Sequence, residues 1–219
     1  MARKKTPVIQ AIRNRPMPPA QLMDPDNWSA PYAPAPEVTT WLHDTFIDEI
    51  SPLYNEDHRH LADETIFVLW AGEGWTRQME QVAGCAEIVT FRASAWQKGR
   101  QEQQMREWFG EVPQYLITLD AHYALKATDA QWCALVEHEL YHFGQEKDAF
   151  GQPAFKADGS PKIGMRAHDV NEFVGIVRRY GAGNAAGQTM KLIEAARSAP
   201  QVCDADISSV CGSCNARIG

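Results

Sequence analysis

At 219 residues the chain has room for one well-cored domain with tails, and not by default for two full-sized domains. A formal net charge of -7 argues against a surface built throughout for nucleic acid. No run approaches the roughly 20 apolar residues of a membrane helix, and Arg13 and Arg15 interrupt the basic N-terminus before a signal-peptide core could form, so a soluble, cytoplasmic protein is expected. Five cysteines, an odd number, fit a reducing compartment with metal use better than a secreted disulfide framework.

Residues 1–35 hold seven of the 13 prolines together with Arg3, Lys4, Lys5, Arg13 and Arg15, a composition that cannot bury a core. A disordered basic arm is expected there, able to touch phosphate or an acidic partner but with nothing in the sequence requiring it. From Pro36 the pattern changes: Val38, Trp41, Leu42, Phe46 and Ile50 recur at helical spacing, and Pro52 marks the stop. The runs "ETIFVLWAG", "GCAEIVTFRAS" and "PQYLITLDAHYAL" are β-branched and aromatic and are bounded by glycine, proline or charge, so they read as three strands of one sheet. The polar stretch from Trp96 to Glu111 fits either a short helix or an ordered loop. Thr128 with Gln131 has capping-box form, Trp132, Leu135, Val136, Leu140 and Phe143 make one apolar stripe, and Gly144 supplies a stop. Residues 145–166 read as a surface excursion, followed by two helical stretches and a cysteine-bearing tail over 200–219; no internal repeat is evident.

The capped helix carries "HELYH". Residues four apart on an α-helix differ by about 40° around the axis, so His138 and His142 project side by side, as two nitrogens must to bind one tetrahedral zinc. Glu139 lies about 100° from His138, flanking the metal rather than competing for it, where it can take a proton from a zinc-bound water. The other histidines, His43, His58, His60 and His122, are expected to be solvated or locally hydrogen-bonded. A catalytic zinc needs a third protein ligand, and "AHDVNEF" offers His168, Asp169 and Glu172, with His168 and Glu172 sharing a helical face.

The strand "YLITLDAHYAL", the helix "ALVEHELYHFG" and the later "HDVNEFVGIVRRYG" together resemble the phage metallopeptidases, zincins similar in layout to SprT-like proteases and minigluzincins. The likeness covers about residues 36 to 181, and the domain it belongs to is taken as 36–199. It implies an α+β, zincin-like fold: an N-terminal helix, a small sheet of three or more strands, the H-E-x-x-H helix and a following ligand-bearing helix. In SprT-like proteins the third ligand is a histidine shortly before an aromatic, which maps onto His168 ahead of Phe173. In gluzincins it is a glutamate, which maps onto Asn171 and Glu172. His168 is preferred, with Glu172 as the alternative. The resemblance also places "YLITLD" at the sheet edge beside the cleft, where an extended substrate could add as a further strand. Tyr141, Tyr180, His122 and Arg166 are unranked candidates for stabilising an oxyanion.

Cys203, Cys211 and Cys214 look like one knuckle of a zinc ribbon, a module that SprT-like proteases often carry. A ribbon needs two knuckles, and neither Cys85 nor Cys133 is singled out as the missing ligand, so unliganded thiols are the simpler reading beside a second, structural zinc. Cys133 is expected to be a small core residue. The functional expectation is a zinc metallopeptidase acting on a protein or peptide, phage or prophage encoded and working in the host cytoplasm. The alternative is a non-catalytic, metal-stabilised protein engaging DNA or a host regulator. Glu139 speaks against it, because a purely structural site has no use for a general base beside the metal.

Overall fold

The computed structural model describes residues 14–24, 31–72, 74–77, 80–170, 177, 181–183 and 186–205. The chain divides into two compact units, one of residues 1–166 with 205–219 and one of residues 167–204.

In the larger unit, β1 (Tyr32–Pro34), β2 (Ile66–Ala71), β5 (Gly84–Ile88) and β6 (Tyr115–Asp120) form one sheet in the order β1-β2-β6-β5. β2 and β6 are parallel, and β1 and β5 lie antiparallel at the two edges. The register aligns Ile66, Val68 and Trp70 with Tyr115, Ile117 and Leu119, so the period of two puts these buried side chains on one face. That face is covered by α1 (Pro36–Leu42), which runs on as a π-helical turn through Ile47, and by α4 (Asp129–Tyr141). Trp70 stacks on Trp132 with ring centroids 5.3 Å apart and donates from Nε1 to Glu37 Oε1 at 3.1 Å, which satisfies its one polar atom.

The opposite face receives the end of α2 (Ala95–Phe109), where Phe109 meets Phe67 at 5.2 Å and Trp108 meets Tyr32 at 6.2 Å. The polar stretch that sequence left between helix and loop is therefore a helix, started by a Ser94–Gln97 capping box and stopped at Gly110. The run "YLITLDAHYAL" is not all strand. Asp120 ends β6 and caps α3 (Ala121–Lys126) directly, its Oδ1 accepting from the N–H groups of His122 and Tyr123 at 2.7 and 3.0 Å.

The expectation of one disordered arm over 1–35 fails in its second half. Leu22 and Ala35 are buried, β1 is part of the sheet, and Arg15 is enclosed by the fold. Arg15 Nη1 and Nη2 donate to the carbonyls of Ala124 and Ala127 at 2.9 and 2.8 Å, Nε donates to Asp129 Oδ1 at 2.9 Å, and the guanidinium lies 5.5 Å from the centre of a Trp132 ring. One guanidinium thus caps the last turn of α3 and pairs with the first turn of α4. Residues 1–13 lie outside the described residues.

Two small ribbons complete the unit: β3 (Trp75–Arg77) with β4 (Glu80–Val82), and β7 (Phe143–Gln145) with β8 (Ile163–Met165). The excursion between β7 and β8 contains a short duplication. Asp148 N–H bonds Gln152 O and Gly151 N–H bonds Asp148 O; eight residues on, Lys156 bonds Ser160 and Gly159 bonds Lys156 in the same way. Gly151 and Gly159, with φ of 78° and 87°, occupy equivalent places that only glycine adopts without strain. In the smaller unit, α5 (Gln188–Arg197) is a surface helix with no buried residue. Among the described residues no helix is long and apolar enough to cross a membrane.

Candidate metal centre

The site is built on α4. Thr128 Oγ1 accepts from Gln131 N–H at 3.2 Å while Gln131 Oε1 accepts from Thr128 N–H at 3.0 Å, which is the reciprocal cap the sequence spelled out. Trp132, Cys133, Leu135, Val136 and Leu140 are buried, so the helix is held by its apolar face and Cys133 is a core residue as expected. His142 is the last residue in helical conformation, with φ -70° and ψ -18°, so the four-residue spacing from His138 holds to the end. Their rings lie 5.1 Å apart.

The stop is not a glycine cap. Gly144 lies within β7, paired with Gly164, and a Cβ there would fall 3.0 Å from Cβ of Arg166. Glycine serves close approach rather than a left-handed turn. The consequence reaches the site: His142 Nδ1 lies 2.7 Å from Arg166 O, and a carbonyl can only accept, so Nδ1 carries the proton and Nε2 keeps its lone pair for a metal.

Beside the histidines a second pair of residues at helical spacing, Glu137 and Tyr141, is held by a polar cluster. Asn55 Nδ2 donates to Glu137 Oε1 and to the Tyr141 hydroxyl, each at 2.8 Å, and its Oδ1 caps the 3-10 turn Glu56–Leu61 through Asp57 N–H. Tyr141 in turn donates to Asp57 Oδ2 at 2.9 Å. Burial raises the pKa of Glu137, partly offset by the Asn55 hydrogen bond, and pushes Tyr141 up to about 12. The Tyr141 hydroxyl thus donates to Asp57, and His122 Nε2 lies 2.9 Å from Gly72 O. The Arg166 guanidinium lies 5.7 Å from the centre of the Tyr141 ring; Tyr180 is outside the described residues.

His58 departs from expectation. It is fully buried, and among the described residues neither ring nitrogen has a hydrogen-bond partner. Its Nε2 stands 3.9 Å from Glu137 Oε1, too far for a hydrogen bond, and burial lowers its pKa to about 4, with the charge on His60 adding to the effect. At neutral pH this contact is therefore not an ion pair.

Glu139 is fully buried, and its carboxylate packs against the backbone of β5. Here the sheet order corrects the sequence reading: "YLITLD" is an interior strand, flanked by β2 and β5, and the edge beside the motif helix is "GCAEI". The edge place of "YLITLD" is an implication of the resemblance, whereas strand order in this chain follows from non-local pairing that composition does not display. Asp120 N–H bonds Ala83 O and Val89 N–H bonds Gln114 O, so alternate residues of β5 bond to β6 while the backbone groups of Gly84 turn away from it.

His168 stands two residues past Arg166, within about 7 Å of chain reach. One ring nitrogen from each of His138, His142 and His168 lies within 4.8 Å of the other two. A tetrahedral ion bound at 2.0–2.1 Å needs nitrogens about 3.4 Å apart, which is of the same order as this spacing, and neutral imidazoles suit a divalent transition metal. The three histidines therefore fit a metal. Glu172, Cys211 and Cys214 lie outside the described residues, and Cys203 is exposed.

The family described as "Putative phage metallopeptidase" matches residues 39–197, a span that includes the motif helix and His168. No curated protein and no solved structure matches the chain significantly.

Proposed function

Because the chain belongs to the phage metallopeptidase family, we propose that it is a zinc peptidase of the zincin type, with His138, His142 and His168 as ligands and Glu139 as general base. The observation that carries this reading is the histidine cluster, one nitrogen from each ring within 4.8 Å of the others, with His138 and His142 on the helix that also bears the buried Glu139.

A zinc ion held by the three histidines would supply Lewis acidity towards a peptide carbonyl and would bring the pKa of water towards about 7. Glu139 then accepts the proton of the attacking water as a C–O bond forms, and passes it to the amine nitrogen as the C–N bond breaks. Its burial keeps bulk water from competing for the carboxylate and strengthens each electrostatic contact there. His142 is fixed in ring orientation and tautomer by Arg166 O, which keeps its ligand nitrogen pre-aimed. The outward backbone groups of Gly84 on β5 suit an extended peptide laid along that edge, a mode that gives affinity with little demand on sequence. The substrate is a protein or peptide, and a phage-type enzyme would meet it in the host cytoplasm.

The test is Glu139→Gln. A peptidase should keep its fold and one zinc per chain but lose at least about 10²-fold in kcat, as expected for removal of a positioned base. If a binding activity survived while wild type cleaved nothing, the metal-stabilised binding protein would be the better account. The basic arm offers that alternative little support, because Arg15 is spent within the fold.

A further inference from the structure

Gly84 lies in β5, in the register Gly84↔Leu119, and its φ is not positive, so its backbone conformation is open to any residue. A glycine in such a strand costs conformational entropy and packs nothing, so some other requirement must hold it there. The space around it supplies that requirement. A Cβ at position 84 would fall 2.7 Å from Glu139 Oε1 and 3.1 Å from both its Cδ and Cγ. The position is buried and on the face that looks towards α4, so Glu139 fills the volume that any larger residue would occupy.

We propose that Gly84 is a positioning residue for the general base: the missing side chain on the edge strand lets the Glu139 carboxylate lie against the β5 backbone, beside the edge where a substrate would run. The inference rests on the peptidase reading for its purpose, and on the packing alone for its geometry. With an alanine at 84 the strand keeps its register, since the colliding atoms belong to the end of a side chain rather than to backbone. The carboxylate is what moves. Full burial leaves it no solvent to swing into, so the displacement is forced on the base itself.

The experiment is a thermal-melting cycle of wild type, Gly84→Ala, Glu139→Ala and the double variant, all as full chains loaded with zinc, joined to kinetics of Gly84→Ala. In the wild-type background Gly84→Ala should lower Tm by about 2–4 °C, the shift of a modest steric conflict in a chain of this size. In the Glu139→Ala background the same change should be neutral or raise Tm, because the space is then empty and alanine is the better strand residue. Kinetically, Gly84→Ala should retain one zinc and its KM while kcat falls by about 10²-fold, the effect of a base misplaced by about 1 Å. Equal Tm shifts in both backgrounds, or an unchanged kcat, would overturn the proposal. The two readings fail separately: absence of cleavage by wild type sinks the peptidase assignment, whereas the melting cycle reports the Gly84–Glu139 contact without any turnover.

Discussion

His58 makes the sharpest statement at the level of single residues. Its pKa is lowered from 6.5 to about 4 in the folded chain, mainly by burial, so the unfolded chain binds more protons between those values. The folded state is undisturbed by this residue above about pH 6.5 and loses stability as pH falls towards 4, the loss amounting to about 3 kcal/mol there. His58→Phe should flatten the acid limb of a Tm-against-pH profile over that window and leave the profile above pH 7 parallel to wild type; an unchanged acid limb would show that other groups carry it. His142 and Glu139 belong to the same scale. Their types and spacing were plain in the sequence, but the carbonyl that sets the His142 tautomer and the glycine that admits Glu139 were not. Both partners lie far along the chain, Arg166 beyond the β7–β8 excursion and Gly84 on another strand.

Elements formed by local chemistry are legible in the sequence. The Thr128–Gln131 cap, the apolar stripe of α4 and the His138–His142 spacing are all contained within one helix, and sequence periodicity reports them directly. Non-local elements escaped. β1 is three residues long and contains proline, so nothing in its composition marks it as a strand until β2 is there to pair with it. The interior place of β6 and the edge place of β5 are likewise settled by pairing, not by composition. Arg15 sits among prolines and basic residues, and a sequence cannot show which carbonyls its guanidinium will meet. Two helix ends now depend on it: Arg15→Ala removes three charge-assisted hydrogen bonds and exposes the last turn of α3, which should cost about 3 kcal/mol in a denaturant titration. Arg15→Lys should recover little of this, since one ammonium cannot span both carbonyls and Asp129 as the planar fork does. A loss below about 0.5 kcal/mol would mean that the contacts are no better than an exposed ion pair.

For the molecule as a whole, the metal should act as a ligand of the native state. Zinc at about a thousand times its Kd adds about 4 kcal/mol to unfolding, so stripping it with a chelator should lower Tm by about 10 °C, and returning zinc should restore it. The most direct measurement of the central claim is zinc bound per purified chain, compared among wild type, His138→Ala, His168→Ala, Glu172→Ala and the paired Cys211→Ser, Cys214→Ser variant. One zinc in wild type, retained in the glutamate and cysteine variants and lost in both histidine variants, is the expected result. Retention of the ion by His168→Ala together with its loss from Glu172→Ala, or a full zinc in His138→Ala, would contradict the three-histidine centre.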